Sequence, residues 1–167
     1  MEQITLNPQP FPKDQLQQKL EAHGIQTNRY AEIFLAHPAV TTEYADELTI
    51  VIASLQEIGL KDGASLPEIF RHIENTDLCP CPANTGIFLR LAWQDQPQSR
   101  NSVLSGTHRS PDQAVMALSN ILEDDPAFPK GLYLRNVDGS LWIRGYVCDP
   151  DYRFSANDLF AFQKAID

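Results

Sequence analysis

The chain contains no apolar run approaching the ~20 residues that a membrane span requires. Its first residues, Met1-Glu2-Gln3-Ile4, show neither the basic nor the apolar stretch of a signal peptide, so a cytoplasmic setting without membrane contact is expected. Cysteine is scarce. Three in 167 residues is an odd number, which argues for free thiols over a disulfide framework. Positive charge is also short: thirteen Lys and Arg face twenty-two Asp and Glu, a formal charge of -9. Such a surface repels phosphate backbones, so duplex nucleic acid is not an expected partner. No G-x-x-x-x-G-K-[ST] segment is present to hold nucleoside triphosphate phosphates. Internal repeats and low-complexity tracts are also missing.

What remains is close to a globular average, 43% hydrophobic and 21% charged, at a length that fits one domain over residues 1–167. The acidic excess is uneven. Residues 1–80 carry five basic and twelve acidic side chains, and residues 81–167 carry eight and ten. Between positions 90 and 153 every basic residue except Lys130 is arginine, the cation whose planar fork suits planar anions.

The first half reads as helices. Pro8, Pro10 and Pro12 make an extended lead-in to a helix from Lys13 to His23, stopped by Gly24. Thr27 or Asn28 can cap a second helix that ends before His37-Pro38. Thr42 opens a third over 43–58, and Ser65-Leu66-Pro67-Glu68 starts a fourth with a capping-box pattern. The second half changes period. Residues 87–93 alternate as a strand, 101–107 make a short edge strand, and Ser110-Pro111-Asp112-Gln113 starts a helix to about Leu122. Leu132–Asn136 and Ser140–Cys148 form a hairpin joined through Val137-Asp138-Gly139, with Gly139 as the left-handed residue, and the tail around Leu159-Phe160-Ala161-Phe162 fits either helix or strand. The sum is an α+β fold: a helical portion, 1–80, packed on a small, mainly antiparallel sheet within 81–167.

Around this hairpin, Phe128-Pro129-Lys130-Gly131-Leu132-Tyr133-Leu134-Arg135 and Asp138-Gly139-Ser140-Leu141-Trp142-Ile143-Arg144-Gly145-Tyr146 resemble a family of uncharacterised bacterial proteins. Gly63-Ala64-Ser65, Leu78-Cys79-Pro80, Leu89-Arg90-Leu91 and Asp95-Gln96-Pro97 fit the same pattern, so the resemblance spans about residues 59–162. Some members are labelled helicases, but the missing phosphate loop gives that label no footing here. The resemblance implies a fold and carries over no catalytic residue.

Candidate chemistry is sparse. Cys79 and Cys81, with Cys148 and either His72 or His108, have the residue types for a Cys₃His zinc site but not the C-x₂-C spacing, so no metal or cofactor is expected. His23 and His37 lie at predicted helix ends, and Ser105-Gly106-Thr107-His108 lacks a nucleophile elbow. Asp149 and Asp151 flank Pro150 as turn residues. The informative feature is the alternation of the hairpin. Leu132, Leu134, Leu141, Ile143 and Val147 share one face, and Tyr133, Arg135, Trp142, Arg144 and Tyr146 share the other. If 87–93 is a neighbouring strand, Phe88 and Arg90 join that second face.

Arg90, Arg135, Arg144, Trp142 and Tyr146 are therefore the candidate binding residues, able to hold a planar or anionic group by stacking and forked hydrogen bonds. In the opposing reading the acidic helices cover the face, with acids such as Glu43, Glu47 or Glu57 pairing the arginines. Two function classes remain. One is a non-catalytic binding or protein-interaction domain; the alternative is an enzyme or sensor for a small anionic metabolite or nucleotide. With no catalytic set assembled, the first is preferred.

Overall fold

The computed structural model describes residues 1–100 and 112–166. In chain order the elements are β1 (Glu2–Leu6), a 3-10 turn (Lys13–Gln15) running into α1 (Leu16–Ala22), β2 (Gln26–Thr27), α2 (Arg29–Leu35) and β3 (Leu48–Ser54). Then come β4 (Ala64–Ser65), α3 (Leu66–Ile73), β5 (Leu78–Cys79), α4 (Thr85–Ala92) and β6 (Val115–Ala117). The hairpin β7 (Gly131–Val137) and β8 (Ser140–Tyr146) is followed by β9 (Arg153–Phe154) and β10 (Leu159–Lys164). This is an α+β fold.

Local signals set several of these boundaries. Gly24, at φ 69, takes the left-handed position beyond α1. The Asn28 side chain accepts the Ala31 N–H at 2.8 Å and opens α2. Ser65 does the same for the Glu68 N–H at the start of α3, with Pro67 in the first turn. Asp138 and Gly139, at φ 51 and 84, form the two-residue turn between β7 and β8 with both residues left-handed, the geometry whose twist matches a tight hairpin.

Eight strands form one mixed sheet, ordered β1-β3-β10-β6-β7-β8-β2, with β5 pairing beside β10. The β10–β6 and β2–β8 pairs are parallel and the other neighbouring pairs antiparallel. The register sorts side chains into two cores. On one face Ile50, Ile52, Ala161, Val115, Leu134 and Ile143 meet α1, α2 and α4 through Leu20, Phe34 and Leu89. On the other, Val51, Phe160, Phe162, Met116 and Tyr133 meet Leu66, Ile69 and Ile73 of α3 and Phe154 of the small β4–β9 pair. The lateral row Ala53, Phe160, Met116, Tyr133 crosses this second face and ends on Arg144.

Several expectations are corrected. Residues 43–58 contain strand β3, not a helix: Thr49-Ile50-Val51-Ile52 is β-branched and lies between β1 and β10 with apolar neighbours on both faces, so no alternation shows. The 1–80 portion therefore contributes β1, β2, β3 and β5 to the sheet in addition to its helices. Thr42 does not cap a helix; its hydroxyl donates to the Phe11 carbonyl at 2.6 Å and clips the proline-rich lead-in in place. Residues 87–93 lie on helix α4, whose positions from Thr85 to Arg90 are all buried, which erases the polar stripe that would mark a helix. In the expected 110–122 helix, Val115–Ala117 is instead strand β6, inserted between β10 and β7 and buried throughout. The tail is strand β10, and Val147 lies just past β8 at 38% exposure, outside the core. The edge strand expected over 101–107 falls outside the described residues.

Candidate functional site

Strand pairing fixes the hairpin faces. Tyr133 lies opposite Arg144 and Arg135 opposite Trp142, so these four share one side, and Gly131 opposite Tyr146 puts Tyr146 there too. Leu134 and Ile143 point the other way. The alternation read in the sequence thus sets these two faces.

Arg144 is the half-buried residue at the end of the row. Its guanidinium lies 5.0 Å from the Trp142 ring and 5.9 Å from the Tyr133 ring, within cation–π range of both. Its Nε is buried without a hydrogen-bond partner, and no carboxylate is within ion-pair distance among the described residues. Arg135 is 2% exposed and its Nε donates to Ser99 Oγ at 3.3 Å. Burial holds the Arg135 guanidinium below its ordinary pKa; the neighbouring Arg144 charge acts in the same direction, while Tyr133 and Asp112 oppose it. Two cations therefore crowd one aromatic surface. Tyr146 supports that surface: its ring packs against Tyr133 and Phe154 at centroid distances of 6.4 and 6.3 Å, and burial raises its hydroxyl pKa.

Arg90 is placed elsewhere. It sits on α4, in the layer covering the opposite face, and is fully buried. Its Nη1 donates to Gln96 Oε1 at 2.6 Å and to the Arg135 and Trp142 carbonyls at 3.2 and 3.3 Å, and its Nη2 donates to the Trp93 carbonyl. Desolvation lowers its pKa to about 10. The reason is the helix itself: the expected strand would have set Arg90 beside Arg144, whereas α4 drives it beneath the hairpin backbone. Glu43, Glu47 and Glu57 form ion pairs with none of the three arginines among the described residues. Gln96 and Asn136 escaped the sequence reading. Gln96 Nε2 donates to the Gln113 and Leu134 carbonyls, and Asn136 Nδ2 donates to the Gln96 carbonyl at 2.8 Å. The sequence signal for this network was Asn136, a polar residue in an apolar strand; Gln96 lies in the loop after α4.

The remaining candidates take separate positions. Cys79, Cys81 and Cys148 are free thiols; Cys79 and Cys81 face the Gln163 and Ala161 carbonyls at 3.5 Å. Burial raises the pKa of all three. Among the described residues no group of three or more His, Cys, Asp or Glu is arranged to hold a metal ion. His72 Nε2 contacts the Ile58 carbonyl at 2.6 Å, His23 Nδ1 the Lys19 carbonyl at 2.8 Å, and His37 Nε2 the Glu123 carboxylate at 2.8 Å. His108 lies outside the described residues. Asp149 accepts the Asp151 N–H at 2.9 Å, a turn contact. No helix is long and apolar enough to cross a membrane among the described residues.

The class defined by fold and site is an α+β protein with an aromatic–arginine sheet face. No protein-family model, curated protein or solved structure matches the chain.

Proposed function

We propose that the protein is a non-catalytic binding domain, cytoplasmic and of bacterial type, whose Trp142–Arg144 surface receives an acidic group of a protein partner. The observation that carries this reading is the Arg144 guanidinium, within cation–π range of two aromatic rings and with no carboxylate at ion-pair distance among the described residues. A guanidinium prepared in this way loses little freedom when a carboxylate docks, and rigid aromatic neighbours add contact area at small entropic cost. The resemblance over residues 59–162 includes both Trp142 and Arg144 and supplies no catalytic residue, which fits a binding role. The acidic excess elsewhere on the chain leaves this the favoured place for a negative partner.

Site-specific photocrosslinking from position 142 in cells tests the reading. One stoichiometric protein adduct is expected, lost in Arg144→Glu while cooperative thermal unfolding is retained. An adduct indifferent to Arg144→Glu would overturn the proposal. Stabilisation of the purified protein by a small anionic metabolite, abolished by the same substitution, would instead favour a metabolite sensor or enzyme.

A further inference from the structure

A second feature lies away from the arginine face. The first residues of α3, the segment following β6, Lys130 and the residues after β8 line an open cavity of about 290 Å³. That volume is near the lower end of small-molecule sites, about 300 Å³. Leu66, Phe70, Ile121 and Pro150 supply apolar walls.

Lys130 supplies the charge. It is only 9% exposed, and its Nζ donates to the Glu123 and Asp125 carbonyls at 3.2 and 3.0 Å. An ammonium has three donors, and among the described residues these two acceptors leave one N–H without a partner. No carboxylate lies within ion-pair distance of Lys130 among the described residues. Cys148, on the same wall, is no counter-ion: burial, opposed by Lys130 and reinforced by Asp149, pushes its thiol up to about 11. Asp124 and Asp149 also line the cavity, but both are exposed and so belong to its mouth. The floor is thus cationic and apolar, and the rim is acidic.

We propose that this cavity binds a small organic monocarboxylate, of the size of hexanoate or phenylacetate, with its carboxylate on Lys130 and its hydrocarbon body against Leu66, Phe70 and Ile121. A buried cation without a counter-ion favours one negative group at the floor. The rim acids repel a second negative group and so select against dicarboxylates.

Calorimetric titration of the full chain with hexanoate and phenylacetate, with hexanol, hexylamine and adipate as comparisons, tests this. Saturable binding of the two monocarboxylates is expected, at least about tenfold tighter than any comparison compound. Lys130→Met should lose that preference. Should Lys130→Met fail to fold, Ile121→Trp decides, because Ile121 is 40% exposed and the larger ring fills the mouth without disturbing the core. It should abolish binding with the melting temperature retained. No binding at millimolar monocarboxylate, equal binding of hexanol, or undiminished binding in Ile121→Trp would each overturn the proposal.

Discussion

Asn28 brackets the peptide of Gly145: its Oδ1 accepts the Gly145 N–H at 2.9 Å while its Nδ2 donates to the Gly145 carbonyl at 3.2 Å. The same Oδ1 caps α2. One amide side chain therefore fixes both the helix start and its seat on strand β8. Asn28→Ala removes a cap and leaves two buried backbone groups unpaired, an expected loss of about 2–4 kcal/mol by urea denaturation. Asn28→Asp keeps the acceptor and loses only the donor, so its cost should fall between. Gly145 is needed for the close approach: a Cβ there would lie 2.5 Å from the Tyr30 carbonyl carbon. Gly145→Ala should cost about 3 kcal/mol or more, since backbone cannot yield as a side-chain tip can.

The arginines should separate into two behaviours. Arg90→Ala strips hydrogen bonds from three buried acceptors and one part-buried acceptor and opens a cavity, an expected loss of about 3–5 kcal/mol. Arg90→Lys should recover little, because one ammonium cannot reach acceptors spread over Gln96, Trp93 and two strand carbonyls. Arg144→Ala removes only ring contacts, and a loss below about 1.5 kcal/mol is expected. Equal costs for Arg90→Ala and Arg144→Ala in parallel urea titrations would contradict this division.

Legibility in the sequence followed burial. Elements bounded by caps and turns were readable: Asn28, Ser65 and Asp138-Gly139 announce themselves by local chemistry that tertiary packing does not override. The hairpin register came with its turn, and with it the grouping of Arg135, Arg144, Trp142 and Tyr146. Elements in the middle of the fold were not readable. β3 and β6 meet apolar neighbours on both faces and α4 is buried almost all round, so neither period survives in their side chains. The β-branched run Thr49–Ile52 was the one available cue for β3. Misreading α4 is what set Arg90 among the binding candidates. The Lys130 cavity and the Asn28–Gly145 clamp join residues distant along the chain and left no local pattern.

Alkaline pH should destabilise the fold. The thiols of Cys79, Cys81 and Cys148 have an ordinary pKa of 9.0 and are all raised, by burial before any other cause. Below that value both folded and unfolded chains keep their protons, so the stability contribution is complete. Above it the unfolded chain releases protons that the folded chain holds, and stability falls as pH climbs through the folded values, about 11 for Cys148. Tyr146, raised from 10.0, adds to the same slope. Urea midpoints measured across this window should decline, and Cys81→Ala should flatten the decline. A midpoint that stays constant from neutral pH to about 11 would contradict these shifts.

Fluorescence can report on the proposed surface directly, because the chain has two tryptophans in different settings. Trp93 is 7% exposed and contributes only its carbonyl to Arg90, so Trp93→Phe preserves that contact and silences its emission. Trp142 is half-buried with the Arg144 guanidinium 5.0 Å from its ring. In the Trp93→Phe background, Arg144→Ala should uncover the Trp142 ring and raise its acrylamide quenching constant. Docking of an acidic partner should do the reverse, shielding the ring and lowering quenching. That protection should weaken as salt rises, since a guanidinium–carboxylate contact at a partly exposed surface is screened within about 10 Å at 0.1 M salt. Protection that persists unchanged in high salt would point to apolar contact with Trp142 alone and remove Arg144 from the recognition.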